Sequence, residues 1–463
     1  MAGEWTTLRE LLLPAITGAG GRRGKAVESA LREAIRSGTL PKRTRLPSSR
    51  DLAGQLGLSR GTVTAVYEQL VAEGYLLTKH GSGTTVAPLD QPSPVDQPPA
   101  APPATWTFDL KPGVPALSAF PRAEWLSYER ETLATASDEE LGYPDPAGHP
   151  ELRTELASYL GRVRALPAKP EDIVITSGAA EAFTLLARTL YAQGQRRIAV
   201  EDPSHSGQSA LFAAHGLRPI GIPVDDSGIQ AGLLPDSDCN AVVVTAAHQF
   251  PLGVALDPER RRALLAWAHE TDGLIIEDDY DAEHRYDRPA LGAVRALEPE
   301  RVAYVGSVSK VLAPALRIGW LVLPPELRGQ VVEAKTLHDL GCAPLPQAAL
   351  ARMLRSGGYD RHLRRTRRLY RQRRDALLDA LATTFPAWRP VGIAAGLHVV
   401  VRLPDGTDDT ALSEDLAAHG INAPALATYA HSPGRRPYPG LVLGYAALTP
   451  DRLHAAVAAM RCG

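Results

Sequence analysis

Lys310 is the residue on which covalent chemistry could be built. It closes the run Gly306-Ser307-Val308-Ser309-Lys310, just after the apolar stretch Val302-Ala-Tyr-Val, and Arg317 follows seven residues later. Most loop lysines are surface charge, but desolvation and nearby cations lower a lysine pKa and free its amine to attack an aldehyde. Glu277-Asp278-Asp279-Tyr280-Asp281 ends another apolar run. Such an acidic cluster suits a divalent metal, a solvated loop, or a buried carboxylate facing a cationic ring nitrogen. Ser177-Gly178-Ala179-Ala180 follows Ile173-Val-Ile-Thr and opens a helical pattern. Its free N–H groups and helix dipole could cradle a phosphate, or form an ordinary capped turn. Jointly these residues supply an amine for a Schiff base, an acid for a pyridinium nitrogen, and a phosphate cup with Ser307 and Arg317. Those are the needs of pyridoxal phosphate.

The elements that position them are short apolar runs separated by helical periods from about Thr107 onward: Ile173-Val-Ile-Thr, Arg197-Ile-Ala-Val200, Ala241-Val-Val-Val-Thr, Leu274-Ile-Ile-Glu and Val302-Ala-Tyr-Val. Runs apolar on both faces predict a mostly parallel sheet covered by helices, with functional groups at the strand ends. The class is α/β.

A second chemistry is written at the front. Ala26, Leu31, Ala34 and Ile35 recur at helical spacing within Lys25 to Ser37, and Gly38 stands where a C-cap belongs. Ser48 or Ser49 can cap a short helix through Gln55, Gly57 forces a turn, and Ser59 can cap a second helix to about Glu73. Gly74-Tyr75-Leu76-Leu77 reads as a strand, with a hairpin tip at Lys79-His80-Gly81-Ser82-Gly83 before Thr84-Thr85-Val86 returns. This is a winged helix-turn-helix. Its second helix would present Ser59, Arg60 and Thr62 to base edges of double-stranded operator DNA, while Arg50, Lys79 and Gly81 would hold the backbone or minor groove.

The chain's 463 residues exceed one hydrophobic core, so a small and a large domain are expected. Residues 1–80 hold 12 Lys/Arg against 7 Asp/Glu, whereas the whole chain is at −2, so the basic excess sits at the front. Cys239, Cys342 and Cys462 show neither metal spacing nor a disulfide framework, and no signal or membrane-spanning run is evident. A reduced, cytoplasmic protein with no metal and no membrane partner is expected. The domains are read as 1–86, winged helix-turn-helix; 87–105, a Pro-rich linker; and 106–463, the large body with a smaller C-terminal α/β lobe.

The segments Leu46-Pro-Ser-Ser-Arg-Asp-Leu-Ala, Leu58-Ser-Arg-Gly-Thr-Val, Glu73-Gly-Tyr75 and Gly81-Ser-Gly-Thr84 resemble the GntR winged-helix family, with a departure at Arg43, where relatives often have Gly. Gly142-Tyr143-Pro-Asp-Pro-Ala-Gly148, Glu201-Asp-Pro203, His248-Gln-Phe-Pro251, Glu277-Asp-Asp-Tyr-Asp-Ala-Glu283, Lys310-Val-Leu-Ala-Pro-Ala-Leu-Arg317 and Gly396-Leu-His398 extend the likeness. Nearly the whole chain thus resembles the MocR/GabR-type regulators, GntR heads on fold-type-I aminotransferase-like bodies. The resemblance implies that Lys310 carries the pyridoxal-phosphate aldimine, Asp278 faces the pyridine nitrogen, and Tyr280 the ring hydroxyl. It gives the phosphate to Ala179, Ala180, Ser307, Ser309 and Arg317, with Tyr143 reaching the phosphate of the other subunit in a head-to-tail, domain-swapped homodimer. His205 stands where relatives place a tyrosine that stacks on the ring. Val442 stands where α-amino-acid aminotransferases use an arginine for the substrate carboxylate, with Arg435 and Arg436 as nearby substitutes or solvated loop charges. The expected function is a transcriptional regulator sensing pyridoxal phosphate, or an amine or amino acid, in control of vitamin B6 or amino-compound metabolism. The alternative is an active aminotransferase with a vestigial head.

Overall fold

Two serine caps organise the head. The computed structural model describes residues 11–12, 23–79, 83–88, 105–287, 291–432 and 436–461, and divides between Pro103 and Ala104 into two compact units. In the first unit, α1 spans Arg23–Arg36, α2 Ser49–Leu56 and α3 Arg60–Ala72, followed by β1 (Leu76–Lys79) and β2 (Gly83–Val86). The Ser48 hydroxyl accepts from the Asp51 N–H at 3.2 Å and that of Ser59 from the Thr62 N–H at 3.1 Å, satisfying donors each helix start leaves open. Gly57, at φ 62°, turns the chain between them. Val27, Leu31, Leu52, Val63, Leu70 and Leu76 form the core. β1 and β2 pair antiparallel, Leu76 opposite Val86, and Arg45 adds a bridge to Thr85. Gly81, assigned to the wing tip, lies outside the described residues. Arg43 sits at φ 66°, so its departure from glycine falls where the backbone is left-handed.

The body begins with β3 (Phe108–Asp109), α4 (Arg122–Thr135) and α5 (Pro150–Arg164), then β4 (Ile173–Thr176), α6 (Ala179–Ala192), β5 (Arg197–Asp202), α7 (Ser206–Ala214), β6 (Arg218–Asp225) and β7 (Gly228–Ile229). It continues through β8 (Ala241–Val244), α8 (Pro258–Thr271), β9 (Leu274–Asp279), β10 (Val302–Ser307), β11 (Gly319–Val322), α9 (Pro325–Asp339), α10 (Pro344–Arg355) and α11 (Gly358–Thr384). The last lobe holds β12 (Arg389–Val391), β13 (His398–Arg402), α12 (Asp409–Ala418), β14 (Ile421–Asn422), β15 (Gly440–Gly444) and α13 (Pro450–Ala459).

Eight strands form the main sheet in the order β4-β11-β10-β9-β8-β5-β6-β7. All run parallel except β11 and β7. Side chains alternate across it. Ile175, Tyr304 and Trp320 pack on Trp125, Leu152, Leu156 and Met353, while Val174, Val305 and Leu321 pack on Leu186, Leu190 and Val331. Both faces are therefore dry, as the continuous apolar runs required. In the smaller lobe, β12-β13-β15 is antiparallel, β3 pairs with β14, and Tyr370 and Leu377 of α11 share its core with Leu453 and Val457.

Candidate functional site

In the head, the capped start of α3 sorts the expected DNA readers. Ser59 and Thr62 share a hydroxyl hydrogen bond of 2.8 Å as well as the cap, so both side chains shape the helix start and keep further hydrogen-bonding capacity. Arg60 is exposed, and so are Arg50 at the start of α2 and Lys79 at the end of β1. Arg45 was not read from sequence. Its guanidinium lies against Gly83 of the wing, where an added methyl would meet it at 3.2 Å.

In the body, the parallel register of β9 and β10 sets Asp278 beside Val305 and Asp279 beside Gly306. β11 returns with Gly319 opposite Ser307 on one side and Thr176 on the other. The carboxyl ends of β4, β9 and β10 thus open on one edge of the sheet, the edge where α/β folds bind ligands. Lys310 Nζ donates to the Gly113 carbonyl at 2.7 Å. Burial and Lys111 draw its pKa down, against Asp281 and Asp278, which draw it up. Asp278 Oδ2 accepts from Gln208 Nε2 at 3.2 Å. Burial, then Asp279, Glu201 and Asp281, push the Asp278 carboxyl up to about 7 despite Lys310. The Tyr280 hydroxyl lies 3.1 Å from His248 Nδ1, which also faces Asp281 at 3.0 Å.

Ala179 and Ala180 open α6 behind Gly178, whose φ of 90° and missing side chain leave the first N–H groups without a side-chain cap. A methyl at Gly178 would stand 3.1 Å from Arg317 Nη1. Arg317 donates to the Ser177 carbonyl, and the Ser309 N–H reaches Ser307 Oγ at 3.4 Å. Ala179, Ala180, Ser307, Ser309 and Arg317 therefore gather around the ends of β4 and β10. His205 precedes α7 with an exposed side chain, its ring 5.7 Å from Phe250. Tyr143 is 90 % exposed and bonds to none of these groups.

Beneath the cup lies a network the sequence did not announce. Fully buried Lys335 donates to Glu181 at 2.7 Å and to Asp339 at 2.9 Å, and lies 3.2 Å from Cys342 Sγ. Glu181 in turn accepts from the Ser177 N–H. Glu181, Asp339 and Cys342 could ligate a metal by their spacing alone, but the Lys335 ammonium already supplies their cation. Val442 is fully buried, clustered with Val224, Leu252, Val400 and Leu426. Arg436 is committed to buried Asp409 at 3.3 Å, which removes it as a free carboxylate grip, and Arg435 lies outside the described residues.

The sequence pattern described as "Aminotransferase class I and II" matches residues 114–459, and that of "Bacterial regulatory proteins, gntR family" matches 23–86. Over 432 residues the chain is 37 % identical to the HTH-type pyridoxine biosynthesis transcriptional regulator PdxR of Corynebacterium glutamicum, covering 91 % of this chain and 92 % of that one. The chain belongs to the MocR/PdxR-type regulators. This MocR-type chain is also 31 % identical to the probable rhizopine catabolism regulatory protein MocR of Rhizobium meliloti, across 93 % of this chain and 91 % of that one. An archaeal alanine:glyoxylate aminotransferase superposes with a TM-score of 0.71 at 26 % identity, covering 77 % of this chain and 90 % of the other.

The cofactor of this MocR-type body is pyridoxal phosphate, and its residues fit that group. The open N–H groups of α6 with Arg317 form an anion cradle that a side chain at position 178 would crowd. Asp278, crowded by Asp279, Glu201 and Asp281, is a carboxyl that a protonated ring nitrogen would relieve. Among the described residues no helix is long and apolar enough to cross a membrane.

Proposed function

We propose that this MocR-type regulator senses pyridoxal phosphate itself and transmits its presence to the winged head. The cofactor, when bound, supplies an aldehyde and an electron-withdrawing ring. Lys310 is the amine placed for it, Asp278 faces the ring nitrogen, Tyr280 the ring hydroxyl, and Ala179, Ala180, Ser307, Ser309 and Arg317 hold the phosphate. His205 covers the ring, and Tyr143 joins from the other subunit of a head-to-tail homodimer; its 90 % exposure within one chain supports that role. The observation that carries the reading is the apolar burial of Val442 among Val224, Leu252, Val400 and Leu426. An aminotransferase must orient a substrate carboxylate as well as hold its cofactor. Here the position that should do so is aliphatic, and Arg436 is taken by Asp409. The similarity to a regulator of pyridoxine biosynthesis supports the same ligand.

The test is fluorescence anisotropy of the full chain on DNA selected by the protein itself, with and without pyridoxal phosphate. The parent should change affinity on adding cofactor and Lys310→Ala should not. A Lys310→Ala protein that responds like the parent would refute sensing through that amine. The second reading, an active aminotransferase, is favoured by the aminotransferase fold itself. Steady turnover of an amino donor with 2-oxoglutarate would establish it.

A further inference from the structure

The body carries a basic groove that neither the cofactor site nor the winged head uses. Positions 361–374 of α11 hold eight arginines, and they do not share one role. Arg373 is buried and donates to the Ala446 carbonyl. Arg361, Arg364, Arg365 and Arg368 recur at the three- and four-residue spacing that puts side chains on one helix face. With Leu369 and Gln372 they line an open hollow of about 620 Å³. Arg361 is tied to Glu124 at 2.9 Å and Arg365 to the Ala119 carbonyl at 2.8 Å. Arg364 and Arg368 are exposed and have no acidic partner among the described residues. Like charges on neighbouring turns repel one another, so such a stripe weakens its helix unless an anion lies along it.

We infer that this groove binds the phosphate backbone of duplex DNA, giving the aminotransferase-like body its own contact with the nucleic acid. The inference rests on reading the chain as a DNA binder. Two features favour a duplex over a small anion. The groove is open rather than enclosing. Arg361 to Arg368 spans about 10 Å of helix at 1.5 Å per residue, comparable to the axial rise of about three base steps at 3.4 Å each. Guanidinium forks match phosphate oxygens two at a time. Two arginines anchored by protein partners set the groove's shape, and the two left free supply the charge.

The test uses the full-length, cofactor-loaded protein and a random-sequence duplex of about 60 base pairs, because backbone contacts need no operator. Anisotropy titrations across a salt series compare the parent with R364Q/R368Q and R364K/R368K. The glutamine pair should make the slope of log affinity against log salt shallower by about 2, so that its affinity deficit grows about sixtyfold between 1 M and 0.1 M salt, since each phosphate contact contributes about 0.9 to the slope. The lysine pair should keep the slope, because it keeps both charges. A glutamine pair with the parent's slope and affinity overturns the inference. So does a result in which it loses only a pyrophosphate-induced thermal shift, which would mark a small-anion site. A parent that binds no duplex at any salt would instead sink the DNA-binding reading beneath it.

Discussion

Asp278 is the side chain whose surroundings ask most of a ligand. Its carboxyl titrates near 7 because burial and three neighbouring acids oppose its charge, and Glu201 is likewise pushed up to about 7 by burial. A carboxyl that keeps its proton to about pH 7 when folded, but to about pH 4 when unfolded, binds more protons folded than unfolded across that interval. Stability is therefore lost as pH rises through it. In thermal melts of cofactor-free protein, Asp278→Asn should remove part of the fall in Tm between about pH 5 and pH 7.5 and leave the Glu201 part, the carboxamide having no proton to lose. A variant with the parent's full pH dependence would show that Asp278 does not carry this strain. In the parent, added pyridoxal phosphate should raise Tm more at about pH 8 than at about pH 5.5, because Asp278, proposed to face the ring nitrogen, is a carboxylate only at the higher pH. Lys310 and Asp278 can be singled out in the sequence because each ends an apolar run next to a distinctive neighbour. Gly113, which holds Lys310 from 197 residues away, and Gln208, which holds Asp278 from 70, had no such mark, since their roles arise only when distant loops meet.

Strand ends and helix starts do the positioning, and their failures should be local. Gly178→Ala places a methyl 3.1 Å from Arg317 at a φ of 90°, so it should weaken pyridoxal-phosphate affinity at least tenfold, about 1.4 kcal/mol. Absorbance titration measures this, and an unchanged Kd would remove the anion cradle from the account. Lys335→Met strands Glu181 and Asp339 without their cation, and it should cost about 3 kcal/mol in chemical denaturation, the scale of breaking a buried pair. A loss below about 0.5 kcal/mol, the range of an ordinary surface substitution, would show the network to be dispensable. The five strands expected from continuous apolar runs all form, because burial on both faces leaves one pattern. β11 went unread: Gly319-Trp-Leu-Val follows the lysine loop directly and returns antiparallel, and nothing in four residues records direction. The Lys335 network was equally hidden, since a lysine within a helix reads as solvated until its neighbours are known.

The whole chain joins a DNA-reading head to a cofactor-binding body, and that division was legible from the serine caps, the wing strands and the proline-rich segment between. What one chain leaves open is its partner: Tyr143 points a 90 % exposed ring at solvent, and Leu133 and Leu337 are 62 % and 75 % exposed. The homodimer proposed above would cover the Tyr143 ring. The account stands on Lys310 being the amine that receives the cofactor. Borohydride reduction of the loaded protein, followed by peptide mass mapping, tests this directly. The predicted result is a pyridoxyl-phosphate adduct on the peptide containing Lys310, absent from those containing Lys111 and Lys335. An unmodified Lys310 in a protein that still binds the cofactor would contradict it.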